Sequence, residues 1–141
     1  MTKITIYSDG ACKGNPGRGG WAAILQAEDG REVTVSGAVD RTTNNRMELM
    51  AVIRGLERIS RSCACNVTIV TDSTYIAGGI AKGGHGSNAD LWDRYDTAAR
   101  HVVTATIVKG HGEDRTNDRC DLMASNAATS GQYAQDEGYD G

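Results

Sequence analysis

The apolar residues change their period near residue 43, and that change restricts the chain to folds joining an antiparallel meander to helical crossovers. Before it, the pattern is that of strands. Residues 3–9 alternate, with Ile4, Ile6 and Ser8 on one face, and this first strand is expected to close at Asp9-Gly10. Residues 20–27 read as a second strand, Asp29-Gly30 as a hairpin signal, and 31–39 as a third strand with Val33 and Val35 alternating. After it, Leu49, Ile53, Leu56 and Ile59 recur at helical spacing, which predicts a helix from about 44 to 60. A short strand over 66–71 follows, then a short helix with Ser73 as N-cap, a connection over 82–88 and a helix over 89–100. A β-branched strand over 102–109, a polar loop over 110–117 and a last helix at about 118–128 complete the order β-β-β-α-β-α-α-β-α. The expected class is α/β: a mixed five-stranded sheet, three strands in an antiparallel meander plus parallel strands, flanked by helices.

The 141 residues fit one domain, here 1–128, followed by a polar acidic tail over 129–141 that is expected to be mobile. With no Phe and 5% aromatics, Ile, Val, Leu, Met and Ala must fill the core. The apolar runs are too short to span a membrane and Met1 leads directly into a strand, so a cytoplasmic protein without a membrane association is expected. Cys12, Cys63, Cys65 and Cys120 lack zinc-site spacing and read as four plain thiols of a reducing compartment. A net charge of −3 argues against nucleic-acid binding, which phosphate contacts drive. Any such function must therefore rest on local motifs.

The acids carry the chemistry. Asp9 and Asp72 each fall at the end of a strand, where side chains border the crevice of an α/β sheet. Glu48 falls near the start of the first long helix and Asp121 in the first turn of the last. If the two strands are neighbours, which a right-handed crossover permits, the four carboxylates meet at one end of the sheet. Like charges a few Å apart raise each other's pKa, and hard divalent cations relieve that repulsion. Two such ions, roughly 3.5–4 Å apart, would suit phosphodiester hydrolysis. Plainer readings stand beside this one. Asp9-Gly10 reads equally as a turn, Ser73 after Asp72 as a cap, Asn45 to Glu48 as a capping box, and Asp121 as a complement to a helix dipole.

Specific strings decide between them. Tyr7-Ser8-Asp9-Gly10-Ala11-Cys12, Gly14-Asn15-Pro16-Gly17-Arg18-Gly19-Gly20-Trp21, Arg41-Thr42-Thr43-Asn44-Asn45-Arg46-Met47-Glu48-Leu49, Thr71-Asp72-Ser73-Thr74-Tyr75, Asn88-Ala89-Asp90-Leu91-Trp92, Val108-Lys109-Gly110-His111 and Asn117-Asp118-Arg119-Cys120-Asp121 occur in that order. Together they resemble type 1 ribonuclease H over residues 4 to about 128. The resemblance implies the ribonuclease H-like fold and an endonuclease that hydrolyses the RNA strand of RNA–DNA hybrids by a two-metal-ion mechanism, leaving 5′-phosphate and 3′-hydroxyl ends. It implies Asp9, Glu48, Asp72 and Asp121 as ligands of two Mg²⁺ ions (Mn²⁺ as a substitute), and His111 as an aid to proton transfer or product release. Asn15, Asn44 and Asn45 resemble the residues that read the minor groove and the 2′-hydroxyls, as small amides that donate and accept are suited to do. Arg41, Thr43 and Asn88 resemble the pocket that grips a phosphate of the DNA strand. Asn44 and Asn45 also read as helix caps, and Cys12 as either groove-facing or packed.

Two departures bear on affinity. The basic protrusion of many bacterial members shrinks here to residues 81–87 with one basic residue, Lys82, so hybrid affinity is expected to be weaker and more dependent on Mg²⁺ and low salt. Thr74 stands where many members carry Gln. No protein partner is implied and a monomer is expected. Rival readings are a nuclease of the same fold acting on DNA or double-stranded RNA, and a non-catalytic hybrid-binding module.

Overall fold

The structure, a computed structural model, describes residues 2–60, 65–82, 87–100, 102–107 and 115–136. Among the described residues, nine elements follow the expected order: β1 (Thr2–Lys13), β2 (Gly17–Ala27), β3 (Glu32–Thr42), α1 (Asn44–Glu57), β4 (Cys65–Thr71), α2 (Thr74–Lys82), α3 (Ala89–Ala98), β5 (Val102–Ile107) and α4 (Arg115–Ala128). They form a five-stranded sheet in the order β3-β2-β1-β4-β5. The meander β1–β2–β3 is antiparallel, and β4 and β5 join parallel to β1.

The alternation along β1 sorts its side chains between two cores. Ile6 faces α1 and packs with Leu49, Val52, Ile53 and Leu56, together with Val67 and Ile69 of β4 and Ile76, Leu91 and Trp92 of the shorter helices. On the other face, Ala22 and Ile24 of β2 pack with Cys120 and Ala124 of α4, with Tyr7 and Ala11 at the margin. Full burial contributes roughly 1.5–3 kcal/mol for each large aliphatic side chain, so the first cluster holds most of the fold's apolar stabilisation. Among the described residues no helix is long and apolar enough to cross a membrane.

Four local expectations are corrected. β1 does not close at Asp9-Gly10. It runs on to Lys13 because Gly10 to Lys13 pair with Arg18 to Trp21 of β2, a partner that the non-alternating string Gly-Ala-Cys-Lys does not reveal. Helix α4 begins at Arg115, one turn earlier than its apolar pattern indicates, so Asp121 lies beyond the first turn and has lost its dipole explanation. Cys12 and Cys120 are free thiols, but Cys65 is disulfide-bonded, against the expectation of four plain thiols; Cys63 lies outside the described residues. Finally, residues 129–136 are docked rather than loose. Ala134 bridges Val39 in parallel, its N–H donates to the Ala38 carbonyl at 2.9 Å, and its carbonyl accepts from Asp40 N–H at 2.8 Å.

Candidate active site

Three elements bring the acids together, and the sheet register does most of the work. Tyr7 pairs with Val70 in the parallel β1–β4 ladder, so two residues further along, Asp9 and Asp72 leave the ladder at the same level. Asp9 has the parity of Tyr7 and so points towards α4. Gly10 lies on the opposite face, directly beneath the first turns of α1. A Cβ at Gly10 would stand 2.4 Å from the Glu48 backbone nitrogen, so only glycine admits α1 this close to the sheet. The same holds across the sheet, where a Cβ at Gly20 would stand 2.3 Å from the Ala124 carbonyl of α4. Cys120 fixes α4 further, donating through its buried Sγ to the Ala22 carbonyl at 3.2 Å. Burial pushes that thiol's pKa well up, so it stays protonated and inert.

Ligand atoms of Asp9, Glu48 and Asp72 consequently lie within 4.8 Å of one another. Asp121 is not one of those three but lies close enough to Asp9 to act on its carboxyl. Burial raises the Asp9 pKa from 3.8 to about 7, helped by Asp121 and by the charge of Asp72. Burial likewise raises Glu48 from 4.5 to about 9, with the Asp9 and Asp72 charges adding to it. The Glu48 Oε2 atom is buried without a hydrogen-bond partner among the described residues. An orphaned carboxylate oxygen inside a cluster of acids is the arrangement a hard divalent cation completes. The plainer readings of these residues therefore lose ground. Thr43, not Asn44 or Asn45, is the N-cap of α1, its Oγ1 accepting from Arg46 N–H at 3.3 Å. Glu48 sits two residues too far along for a capping box with it, since that place is held by Arg46. Ser73 does cap α2, accepting from Ile76 N–H at 3.2 Å, while leaving the adjacent Asp72 to the cluster.

The RNase H family pattern matches residues 1–129. The chain belongs to the RNase H family. A ribonuclease H from Roseobacter denitrificans is 45% identical over 143 residues, covering 88% of this chain and 94% of that one. Among solved structures, LC9-RNase H1, a type 1 RNase H with the type 2 active-site motif, superposes with a TM-score of 0.81 at 27% identity, over 94% of this chain and 74% of its own. LC11-RNase H1, solved in complex with an RNA/DNA hybrid, shares the fold with a TM-score of 0.68 at 23% identity, over 90% of this chain and 97% of its own. The chain is thus a type 1 ribonuclease H, a hydrolase with an acidic group able to hold a metal.

In this ribonuclease H the other residues singled out from the sequence fall in two places. Asn15, Asn44 and Asn45 are exposed beside the start of α1, where Asn15 Oδ1 accepts from Asn44 N–H at 3.1 Å. Arg41 is exposed at the end of β3, Thr43 is engaged as the cap, and Asn88 is half-buried before α3. Cys12 is half-buried, its Sγ donating to the carbonyls of Gly17 and Thr42, which favours the packing role over a groove-facing one. His111 lies outside the described residues. Sequence reasoning missed Arg46, a 2% exposed guanidinium between the Asn88 and Thr43 positions. Its position inside Thr42-Thr43-Asn44-Asn45-Arg46-Met47-Glu48-Leu49 was a signal, but its acidic partners, Asp90 and Asp136, lie 44 and 90 residues away.

Proposed function

We propose that this ribonuclease H hydrolyses the RNA strand of RNA–DNA hybrids by a two-metal-ion mechanism, leaving 5′-phosphate and 3′-hydroxyl ends. Asp9, Glu48, Asp72 and Asp121 are its Mg²⁺ ligands. The observation that carries the reading is the convergence of the Asp9, Glu48 and Asp72 carboxylates within 4.8 Å, with Glu48 Oε2 unpartnered among the described residues. When bound, the divalent ions supply Lewis acidity for activating water and for the leaving oxygen. The chain supplies the rest. Its four carboxylates would hold the ions, and Gly10 lets α1 bring Glu48 close to Asp9. Asp9 and Glu48 would have to release the protons that burial and mutual repulsion keep on them before they could hold an ion, so activity should rise with pH as those groups ionise.

Asn15, Asn44 and Asn45 form an exposed amide row suited to minor-groove edges and 2′-hydroxyls, which separate RNA from DNA. Arg41, Thr43 and Asn88 grip a phosphate of the DNA strand, and His111 assists proton transfer or product release. A fold neighbour solved with an RNA/DNA hybrid supports the same substrate class. The catalytic unit is residues 1–128, acting as a cytoplasmic monomer.

Cleavage of a labelled hybrid with Mg²⁺, beside RNA–RNA and DNA–DNA duplexes, tests the proposal. Wild type should cut the hybrid's RNA strand alone, and Asp9→Asn should lose at least about 10²–10³-fold in rate, as when a preorganised charge at a transition state is removed. Equal cutting of hybrid and DNA–DNA duplex, or a fully active Asp9→Asn, would overturn it.

A further inference from the structure

We infer that Asp136, in the segment that follows α4, is a positioning residue for Asn88, acting through the buried guanidinium of Arg46. The inference rests on the reading of Asn88 as a phosphate contact and adds to it the element that keeps the amide in place.

Arg46 cannot itself reach substrate. Its side chain is 2% exposed and all five of its N–H donors are used within the protein. Nε donates to Asp136 Oδ2 at 2.8 Å and Nη2 to Asp136 Oδ1 at 2.9 Å, a bidentate pair. Nη1 and Nη2 form a second fork on Asp90, at 2.9 and 2.7 Å. The fifth bond runs from Nη1 to Asn88 Oδ1 at 3.2 Å. The guanidinium therefore links a residue of the tail to a residue of the proposed phosphate pocket.

The other end of the Asn88 amide is fixed as well. Asn88 Nδ2 donates to the Tyr75 hydroxyl at 3.0 Å. That hydroxyl also accepts from Trp92 Nε1 at 2.9 Å and donates to the Ser87 carbonyl at 3.1 Å, so its single hydrogen is committed. A flipped amide would set NH₂ against the guanidinium and a carbonyl against a hydroxyl with no hydrogen to give. The amide is thus locked with its oxygen inward, and the second Nδ2 hydrogen has no acceptor among the described residues. An anionic oxygen is the natural acceptor for it. Nor does the side chain serve the helix: Asn88 precedes α3 in the left-handed conformation, φ 65°, and makes no side-chain cap bond.

Asp136 is the inner of the two carboxylates. Its side chain is 3% exposed against 44% for Asp90, and it also accepts from Thr42 Oγ1 at 2.6 Å. Without its charge, Arg46 loses the inner of the two carboxylate forks described above and keeps the solvent-facing one on Asp90, which aims the guanidinium at Asn88 less firmly. The backbone bridge at Ala134 holds Asp136 in place, which gives the otherwise acidic tail a function near a polyanion.

A double-mutant cycle on the full chain tests this, measuring KM and kcat on a labelled hybrid together with thermal midpoints. Asp136→Asn should raise KM about three- to tenfold, the worth of one hydrogen bond, with kcat changed less than about twofold. Asn88→Ala should raise KM, and Asp136→Asn added to it should raise KM no further, although it still lowers the midpoint. An equal further rise in KM on the Asn88→Ala background, or an unchanged KM for Asp136→Asn where Asn88→Ala raises it, would overturn the inference while leaving the phosphate reading intact. An unchanged KM in Asn88→Ala would overturn both. Should Asp136→Asn fail to fold, Asp136→Glu, which keeps the charge but shifts it by one methylene, replaces it in the same cycle with the same outcomes.

Discussion

Residues 46 and 48 stand one turn into the same helix and end in opposite electrostatic situations. Arg46 is surrounded by two carboxylates and an amide oxygen that together use every donor it has. Glu48 is surrounded by Asp9 and Asp72, with one of its own oxygens left without a partner among the described residues. The first cluster is closed: its buried charges, Arg46 and Asp136, face each other inside the protein, and the second carboxylate, Asp90, reaches solvent. The second is open, and its like charges are tolerated only by holding protons at pH values where carboxylates are ordinarily ionised. The contrast teaches that buried charge alone does not mark a functional site. What distinguishes the active cluster is that the fold has left its charge balance incomplete.

The closed cluster is tested most severely by removing its centre. Arg46→Ala strands Asp136 in a 3% exposed position, and breaking a buried pair in this way costs about 3–5 kcal/mol. Urea unfolding should show the loss, and a cost below about 1 kcal/mol would mean the cluster is wetter and looser than its geometry indicates.

The open cluster should respond in the other direction. Asp9 and Glu48 hold their protons more tightly folded than unfolded, so their contribution to stability is intact below the ordinary carboxylate range. It is lost as pH rises through about 7 for Asp9 and about 9 for Glu48. Metal-free wild type should therefore lose thermal stability between pH 4 and 9. Asp9→Asn should be the more stable protein at pH 8, by on the order of 2 kcal/mol. Added Mg²⁺ should raise the wild-type midpoint more than the variant's. A metal-free midpoint that climbs with pH would show that the acids already have countercharges.

The smallest effect concerns what the two clusters share. Thr43 caps α1 immediately before both, and Thr43→Ala should cost about 1 kcal/mol in thermal unfolding. A loss well beyond that would mean that fraying of the first turn disturbs both charge clusters at once.

Much of the open cluster was legible in the sequence, because each acid lies near an element that the apolar period defines. Asp72 ends a short β-branched run, and Glu48 precedes the Leu49–Ile53–Leu56 stripe. The details that were missed have local causes. The continuation of β1 through Lys13 depends on hydrogen bonds to β2 and leaves no alternation to read. The first turn of α4, Arg115 to Asn117, is polar and resembles loop. Of the closed cluster, only the place of Arg46 in the Thr42 to Leu49 string was legible. Its bonds join Arg46 to residues 42, 44 and 90 positions away, and no periodicity connects a tail aspartate to a helix arginine.

The register of β1 against β4 carries one more consequence. Asp9 and Asp72 sit at a common level because two strands, separated in sequence by a hairpin meander and a helix, pair without a slip. A displacement by one residue would send one carboxylate to the opposite face of the sheet. Affinity for a divalent cation is therefore an all-or-none report on assembly of the sheet's centre. A partly folded chain that has formed its meander but has not yet laid β4 beside β1 carries the same acids without the group that could hold a metal, and cannot begin cutting before the fold that controls it is complete.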